Sequence, residues 1–419
     1  MNLVQITPGA GGMYCGNCLR DNALVTELRR LGHTALMVPL YLPLTVDEPD
    51  QTAGTPVFFG GVNVYLDQKV PWFRHAPAAL RRLLTAPWIL RRAAGRAAGT
   101  QAKDVADLTI SMLRGEEGNQ RRDLENLSAW LATQPRPDAV LLSNALLIGL
   151  ARSLGRSLHT RVVCNLQGED GFLDAMPEPF RTQAWQTLAE RAADVDLFIA
   201  PSRYFAELMG RRLNLGAERI AVVPNGIRLD GYPAPFGGPI RTEQDCAAPT
   251  VGYLARMTRD KGLDVLVEAF LELRRRPATR AVRLCVAGGC LPADAPFVRS
   301  LQQRVAQAGA EADVAFHPNL DRAAKVSMLR SLTVFSVPAV YSEAFGLYLL
   351  EAMAAGIPVV QPRSSAFPEL IEATGGGVLC EPGNARSLAD ALESLLLDPE
   401  RRRTLAHAGH TAVWRDFSA

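Results

Sequence analysis

Glu343 and Glu351 stand eight positions apart and enclose Ala344-Phe345-Gly346 and the apolar run Leu347-Tyr348-Leu349-Leu350. A glycine at a loop-to-helix junction lets a ligand approach bare backbone amides, and a helix starting at Leu347 would aim its unpaired N–H groups and positive dipole end at an anion. A phosphate suits that place. Glu351 falls just over one turn inside the helix, where an ionised carboxylate can accept two hydrogen bonds from neighbouring hydroxyls such as those of a ribose. Glu343, still on the loop, would face the other substituent of the phosphate. Phe345, Gly346, Leu347 and Glu351 are thus candidate nucleotide-binding residues and Glu343 a candidate reaction-centre residue. The plain alternative is a polar turn capping an ordinary helix.

Two cations extend the pattern. Gly252-Tyr253-Leu254-Ala255-Arg256 runs off a strand, and Lys261-Gly262-Leu263 opens the next helix. A guanidinium fork and an ammonium point charge at such a turn can neutralise a diphosphate, although surface Arg and Lys more often simply meet solvent. At the amino end, strand Leu3 to Ile6 meets Thr7-Pro8-Gly9-Ala10-Gly11-Gly12, followed by a helix from Asn17 to Leu31. Gly11 and Gly12 would let that loop press on a ligand at the strand's carboxyl end. Cys15 and Cys18 form a lone CxxC at the helix entry, which packing explains more simply than redox or metal chemistry; a zinc site would need two further ligands, with His33 the one obvious candidate. Cys164-Asn165-Leu166-Gln167-Gly168-Glu169-Asp170 follows another buried-looking strand.

The elements that must carry these residues alternate along the chain. Leu3 to Ile6, Ala35 to Pro39, Ala139 to Leu142, Val162 to Asn165, Leu197 to Ala200 and Ile220 to Val223 are short apolar runs bounded by turn residues, the mark of strands buried on both faces of a parallel sheet. A second series occupies Val251 to Leu254, Arg283 to Ala287, Val314 to Phe316, Thr333 to Val337 and Pro358 to Gln361, with helices such as Leu263 to Arg275 and Arg386 to Leu397 between. Glycines and prolines crowd residues 225–249. The reading is α/β, with two doubly wound domains: 1–235, a linker at 236–249, and 250–419. The ligand is expected at the carboxyl ends of the strands, in a cleft between the domains.

Composition narrows the class. At 419 residues, 48% apolar and 21% charged, the chain reads as a soluble two-domain protein. A net charge of +2 gives no global field for nucleic acid. Seven cysteines without a signal peptide point to a reducing compartment, the cytoplasm, and no apolar run is long enough to span a membrane. Charge is uneven, however. From Lys69 to Lys103 there are eight Lys or Arg and no acid, with Trp72, Phe73, Trp88 and Ile89 interleaved. That run fits either peripheral contact with an anionic bilayer or an insertion with solvated arginines, and Pro71, Pro77 and Pro87 interrupt any long helix.

The Glu343/Glu351 spacing resembles the Glu-(seven residues)-Glu signature of retaining GT-B glycosyltransferases, the glycogen-synthase-like superfamily of group 1 and family 4 type. The resemblance covers nearly the whole chain, strongest from Ile220 to Leu396. It implies two Rossmann-like domains facing a cleft and transfer of a sugar from a nucleoside-diphosphate donor, UDP above all, to a hydroxyl acceptor; the basic run from Lys69 to Lys103 suits a lipid-linked one, and a glycan-linked acceptor is the other expectation. It implies no divalent metal and no separate cofactor, which agrees with the lack of a paired-aspartate motif at a strand end. Arg256 and Lys261 match the pair that stabilises the leaving diphosphate, and the Gly11-Gly12 loop matches the one that covers it from the opposite domain. Related GT-B activities, an epimerase or a phosphorylase, and a non-catalytic sugar-nucleotide binder share these expectations. The chain departs in three places: Gln167 replaces a histidine, the lysine of the glucan synthases is missing before Gly11, and the crossover helix expected after Val413-Trp414-Arg415-Asp416-Phe417 is short or absent.

Overall fold

The computed structural model describes residues 1–9, 16–44, 49–52, 54–70, 72–73, 76–77, 104–234 and 248–419. By its contacts the chain forms two units, Met1–Val223 and Pro224–Ala419.

In the first unit, strands β1 (Asn2–Thr7), β2 (Thr34–Pro39), β3 (Ala139–Leu142), β4 (Arg161–Asn165), β5 (Leu197–Ala200) and β6 (Ile220–Val222) make one parallel sheet in the order β2-β1-β3-β4-β5-β6. Val4, Ile6, Met37, Val140, Leu142, Val162, Cys164 and Phe198 are buried along it. Helices cover such a sheet on both faces, which is why its strands read as apolar runs rather than alternating ones. The expected amino-terminal helix is α1 (Gly16–Arg30); Arg29 in its last turn reaches over to the Ala35 carbonyl, 2.9 Å from Nε and 2.7 Å from Nη2.

The second unit repeats the plan. Strands β7 (Thr250–Leu254), β8 (Arg283–Gly288), β9 (Val314–Pro318), β10 (Val334–Phe335), β11 (Val359–Pro362) and β12 (Gly377–Cys380) are parallel in the order β12-β11-β10-β7-β8-β9. Helices α2 (Leu263–Arg275), α3 (Ala295–Gln307), α4 (Arg322–Arg330) and α5 (Leu347–Ala354) each connect one strand to the next in sequence, and α6 (Pro399–Asp416) comes after the last strand. Tyr253, Phe270, Phe335, Leu349 and Phe367 are fully or nearly fully buried in its core. The α/β architecture of two Rossmann-like sheets expected from the sequence is present.

In each sheet the chain grows one way from its first strand and then returns to grow the other way. β7 therefore lies between β8 and β10, where the strand order reverses. Ligands of doubly wound sheets bind at such a switch point, outside the carboxyl ends of the strands.

One expectation needs correction. Residues 224–234 belong to the second unit, not the first. Ile227 N donates to Phe417 O at 2.9 Å, Ala419 N donates to Ile227 O at 3.0 Å, and Ile227 and Ser418 form a parallel β-bridge. The expected linker lies outside the described residues as far as 247. The segment Val413 to Asp416, after which the resemblance places a crossover helix, itself closes α6, and Phe417 packs its ring 6.3 Å from that of Phe345 within the second unit.

Candidate functional site

The loop from β7 to α2 and the loop from β10 to α5 are pressed together at the switch point. Gly262, at the amino end of α2, has φ +69°, and a Cβ there would come 1.9 Å from the Pro338 carbonyl oxygen. No other residue fits both the left-handed conformation and the contact. Val340 N donates to Asp260 O at 2.9 Å, which ties the loops a second time.

That clamp carries Lys261 onto Glu343. Lys261 Nζ lies 2.6 Å from Glu343 Oε2, and the hydroxyls of Tyr341 and Tyr348 donate to the same oxygen at 2.8 Å each. Lys261 Nζ also donates to the Tyr341 hydroxyl and sits 4.6 Å from the Tyr341 ring centroid and 5.3 Å from that of Tyr348. Burial pushes the Glu343 carboxyl up, but the Lys261 charge and the hydrogen bonds from Lys261, Tyr348 and Tyr341 outweigh it and hold the group below the usual glutamate range. Burial and the neighbouring Glu343 charge push the Tyr348 phenol well up, so it stays a donor. Three donors converge on Oε2; Oε1 accepts from no described residue. The cluster therefore presents one ionised oxygen to whatever enters.

Beside it, Gly346 adopts φ +98° at the amino end of α5, with no acidic side chain in the first turn and no side-chain cap. The amides that open this helix are available to an anion. Phe345 contributes backbone only, because its side chain is buried against Phe417, while Leu347 is half-buried. Glu351 is one turn inside α5 as expected, and it is not alone: Lys325 Nζ on α4 lies 2.7 Å from its Oε1.

Arg256 follows a different course. Its Nε and Nη2 donate to Asp294 Oδ2 and Oδ1, each at 3.0 Å, where the chain enters α3 after β8. The structure thus brings Lys261 to Glu343 and Arg256 to Asp294. Gly11, Gly12 and Cys15 lie outside the described residues, as does most of 69–103; Lys69 itself pairs with Asp107 at 3.0 Å. Cys18 is buried on α1. Among the described residues there is no group of three His, Cys, Asp or Glu side chains that could hold a metal, and no helix is long and apolar enough to cross a membrane.

In the first unit, Glu169 has a structural task. Its Oε1 accepts Ala145 N at 2.7 Å and its Oε2 accepts Gln167 N at 2.6 Å, which joins the loops that leave β3 and β4. Burial pushes this carboxyl up and the backbone donors oppose that only in part. Gln167 lies half-buried beside it.

Four site residues escaped the sequence reading: Tyr341, Tyr348, Asp294 and Lys325. The tyrosines carried a faint signal, since a phenol inside the otherwise aliphatic run Leu347–Leu350 needs a polar partner when buried. Asp294 and Lys325 carried none, because their partners are remote in sequence.

Residues 243–411 match the family model described as "Glycosyl transferases group 1" and residues 108–230 the model "Glycosyltransferase Family 4". The chain is 33% identical over 230 residues to a D-inositol 3-phosphate glycosyltransferase of Xylanimonas cellulosilytica, covering 53% of each chain. It is 32% identical over 203 residues to a phosphatidyl-myo-inositol mannosyltransferase of Mycobacterium leprae, covering 48% of this chain and 50% of that one. The matched region thus spans about half the length of these relatives. Among solved structures, a sucrose-phosphate synthase from Thermosynechococcus elongatus superposes with a TM-score of 0.71 at 19% identity, over 100% of this chain and 95% of its own. Anabaena HepE in complex with UDP superposes at 0.67 and 17%, over 100% and 96%. At those identities the likeness speaks to the fold.

Proposed function

We infer that this chain, which belongs to the GT-B glycosyltransferases, moves a sugar from a nucleoside-diphosphate donor to a hydroxyl acceptor with retention at the anomeric carbon. The observation that carries this reading is the convergence of Lys261, Tyr341 and Tyr348 on one oxygen of Glu343, at the sheet's switch point and beside the uncapped amino end of α5. A buried carboxylate whose second oxygen accepts from no described residue suits a sugar hydroxyl; an ammonium and open amides at the same place suit a departing diphosphate.

In this reading the bond between the anomeric carbon and the diphosphate oxygen breaks, and the electron pair leaves with the diphosphate. Lys261, Arg256 and the amides of Phe345 to Leu347 stabilise that charge. The acceptor oxygen bonds the anomeric carbon on the same face, and its proton passes to the departing phosphate, so no protein base is required. Glu351 holds the ribose and Glu343 the sugar. The chemistry proceeds without a metal or a separate cofactor.

UDP is the proposed nucleotide, and the solved complexes of HepE hold UDP and UDP-glucose. The acceptor is proposed to be glycan- or lipid-linked; relatives named for an inositol phosphate and for a phosphatidylinositol support a polyol head. The basic run from Lys69 to Lys103 would meet an anionic membrane surface from the cytoplasmic side. The deciding experiment is a thermal-shift panel of UDP-, GDP- and ADP-sugars followed by NMR of the products formed with and without acceptor. A ligand at 100 times its dissociation constant stabilises by about 2.7 kcal/mol. Transfer to a hydroxyl with unchanged anomeric configuration is expected; conversion of the donor alone, or sugar phosphate formed only with orthophosphate, would replace this reading with an epimerase or a phosphorylase.

A further inference from the structure

Asp294 is a carboxylate turned away from its own helix. It occupies the N-cap position of α3, with φ −84° and ψ −21°, and its side chain caps none of that helix's amides. An aspartate at this position ordinarily accepts from the second or third amide of the helix. Here Oδ2 takes Arg256 Nε and Leu291 N, each at 3.0 Å, and Oδ1 takes Arg256 Nη2 at 3.0 Å. The Asp294 side chain is 8% exposed and that of Arg256 47%. An ion pair with a half-exposed arginine adds little to stability, because solvent screens it. Its value is therefore geometric.

The grip is edge-on. A guanidinium carries five N–H groups in a planar fork; Asp294 occupies the Nε–H and one Nη2–H and leaves three. The chain leaving β7 is also bonded to the end of β8 and the loop after it: Ala255 N donates to Ala287 O at 3.3 Å and Met257 N to Gly289 O at 2.8 Å. Arg256, which leaves β7, is thus anchored from the end of the adjacent strand β8, beside the strand order's reversal between β7 and β10.

We propose that Asp294 is a positioning residue for the leaving diphosphate: by holding the Nε–Nη2 edge of Arg256 it fixes the guanidinium so that the three remaining N–H groups meet the phosphates. This rests on the diphosphate role assigned to Arg256 above. Asp294 touches no phosphate itself and acts through Arg256 alone.

The test is calorimetry of UDP and GDP, with uridine and guanosine as phosphate-free controls, on the wild-type chain, Asp294→Asn, Arg256→Ala, Arg256→Lys and the double variant Asp294→Asn/Arg256→Ala. Asp294→Asn should weaken the better nucleoside diphosphate about tenfold, the effect of one lost bond to a charged group, and leave its nucleoside unchanged. The double variant should bind no more weakly than Arg256→Ala. Arg256→Lys should also lose affinity, since an ammonium cannot be held along an edge, and this variant leaves the buried carboxylate in place should Asp294→Asn not fold. Diphosphate affinity that is unchanged or tighter in Asp294→Asn would overturn the proposal. So would equal loss for the nucleoside, or a loss that adds to that of Arg256→Ala. Arg256→Ala that binds both diphosphates as tightly as the wild type would instead remove the diphosphate reading beneath it.

Discussion

Lys325 Nζ on α4 and Glu351 Oε1 on α5 lie 2.7 Å apart, with side chains only 16% and 20% exposed. The pair occupies Glu351 Oε1 and leaves Oε2 without a described partner. Glu351→Ala should therefore weaken UDP binding by roughly 1.5 to 3 kcal/mol, the range for hydrogen bonds to a charged group, with the fold intact. Isothermal calorimetry reads this directly; an unchanged affinity would remove Glu351 from the nucleotide site.

Glu343 sets a pH dependence. Its folded-state value lies below the unfolded one because Lys261, Tyr348 and Tyr341 together outweigh burial. Ionised Glu343 therefore stabilises the fold above the unfolded value, about 4.3, and that stability is lost as pH falls through the folded value. Urea midpoints of the wild type should fall more steeply than those of Glu343→Gln between about pH 5 and about pH 3. Parallel curves would mean that the carboxylate is not held in the ionised form.

Gly262→Ala combines a left-handed backbone with a Cβ 1.9 Å from the Pro338 oxygen. The conformational cost of roughly 1 to 2 kcal/mol and an overpacking cost of roughly 1 to 3 kcal/mol predict a loss of about 2 to 5 kcal/mol in urea unfolding. Turnover should fall as well, because the same clamp seats Lys261 on Glu343. A variant of wild-type stability would show that the loops can part there at little cost.

Glu169→Ala tests a carboxylate in the first unit that has no proposed chemical role. Removing it orphans the amides of Ala145 and Gln167, and at roughly 1 to 3 kcal/mol for each buried donor the loss should be about 2 to 6 kcal/mol. Guanidinium unfolding followed by a first-unit probe such as Trp185 would report it. If only turnover changed, with stability intact, Glu169 would belong to the chemistry instead.

The fold was largely legible because buried parallel strands advertise themselves as short apolar runs between turn residues, and each strand except β12 was marked within a residue or two. β12 begins at Gly377, directly after Gly375 and Gly376, and spans four residues at the edge of its sheet, too little apolar sequence to stand out. The site was half legible. Glu343, Gly346 and Glu351 share one local segment, so spacing and helix geometry sufficed to place them at a loop-to-helix junction. Lys261 stood out as a cation at a turn, but its bond to Glu343 depends on Gly262 packing on Pro338, a tertiary contact that no local pattern encodes. The pairing of Arg256 with Asp294 was hidden for the same reason. The boundary at 223/224 was misjudged because Ile227 takes its hydrogen bonds from the far end of the chain, at Phe417 and Ala419.

The aromatic walls around Lys261 shift a thermodynamic burden from one event to another. A lysine stem confined to a single rotamer loses up to about 2 kcal/mol of conformational entropy, and in most binding sites that loss falls when the ligand arrives. Here the ammonium already rests over the rings of Tyr341 and Tyr348 and against Glu343, so the loss falls on folding. The cation is seated by its own neighbours, and what still has to be ordered at the moment of capture is the incoming molecule rather than the wall that receives it.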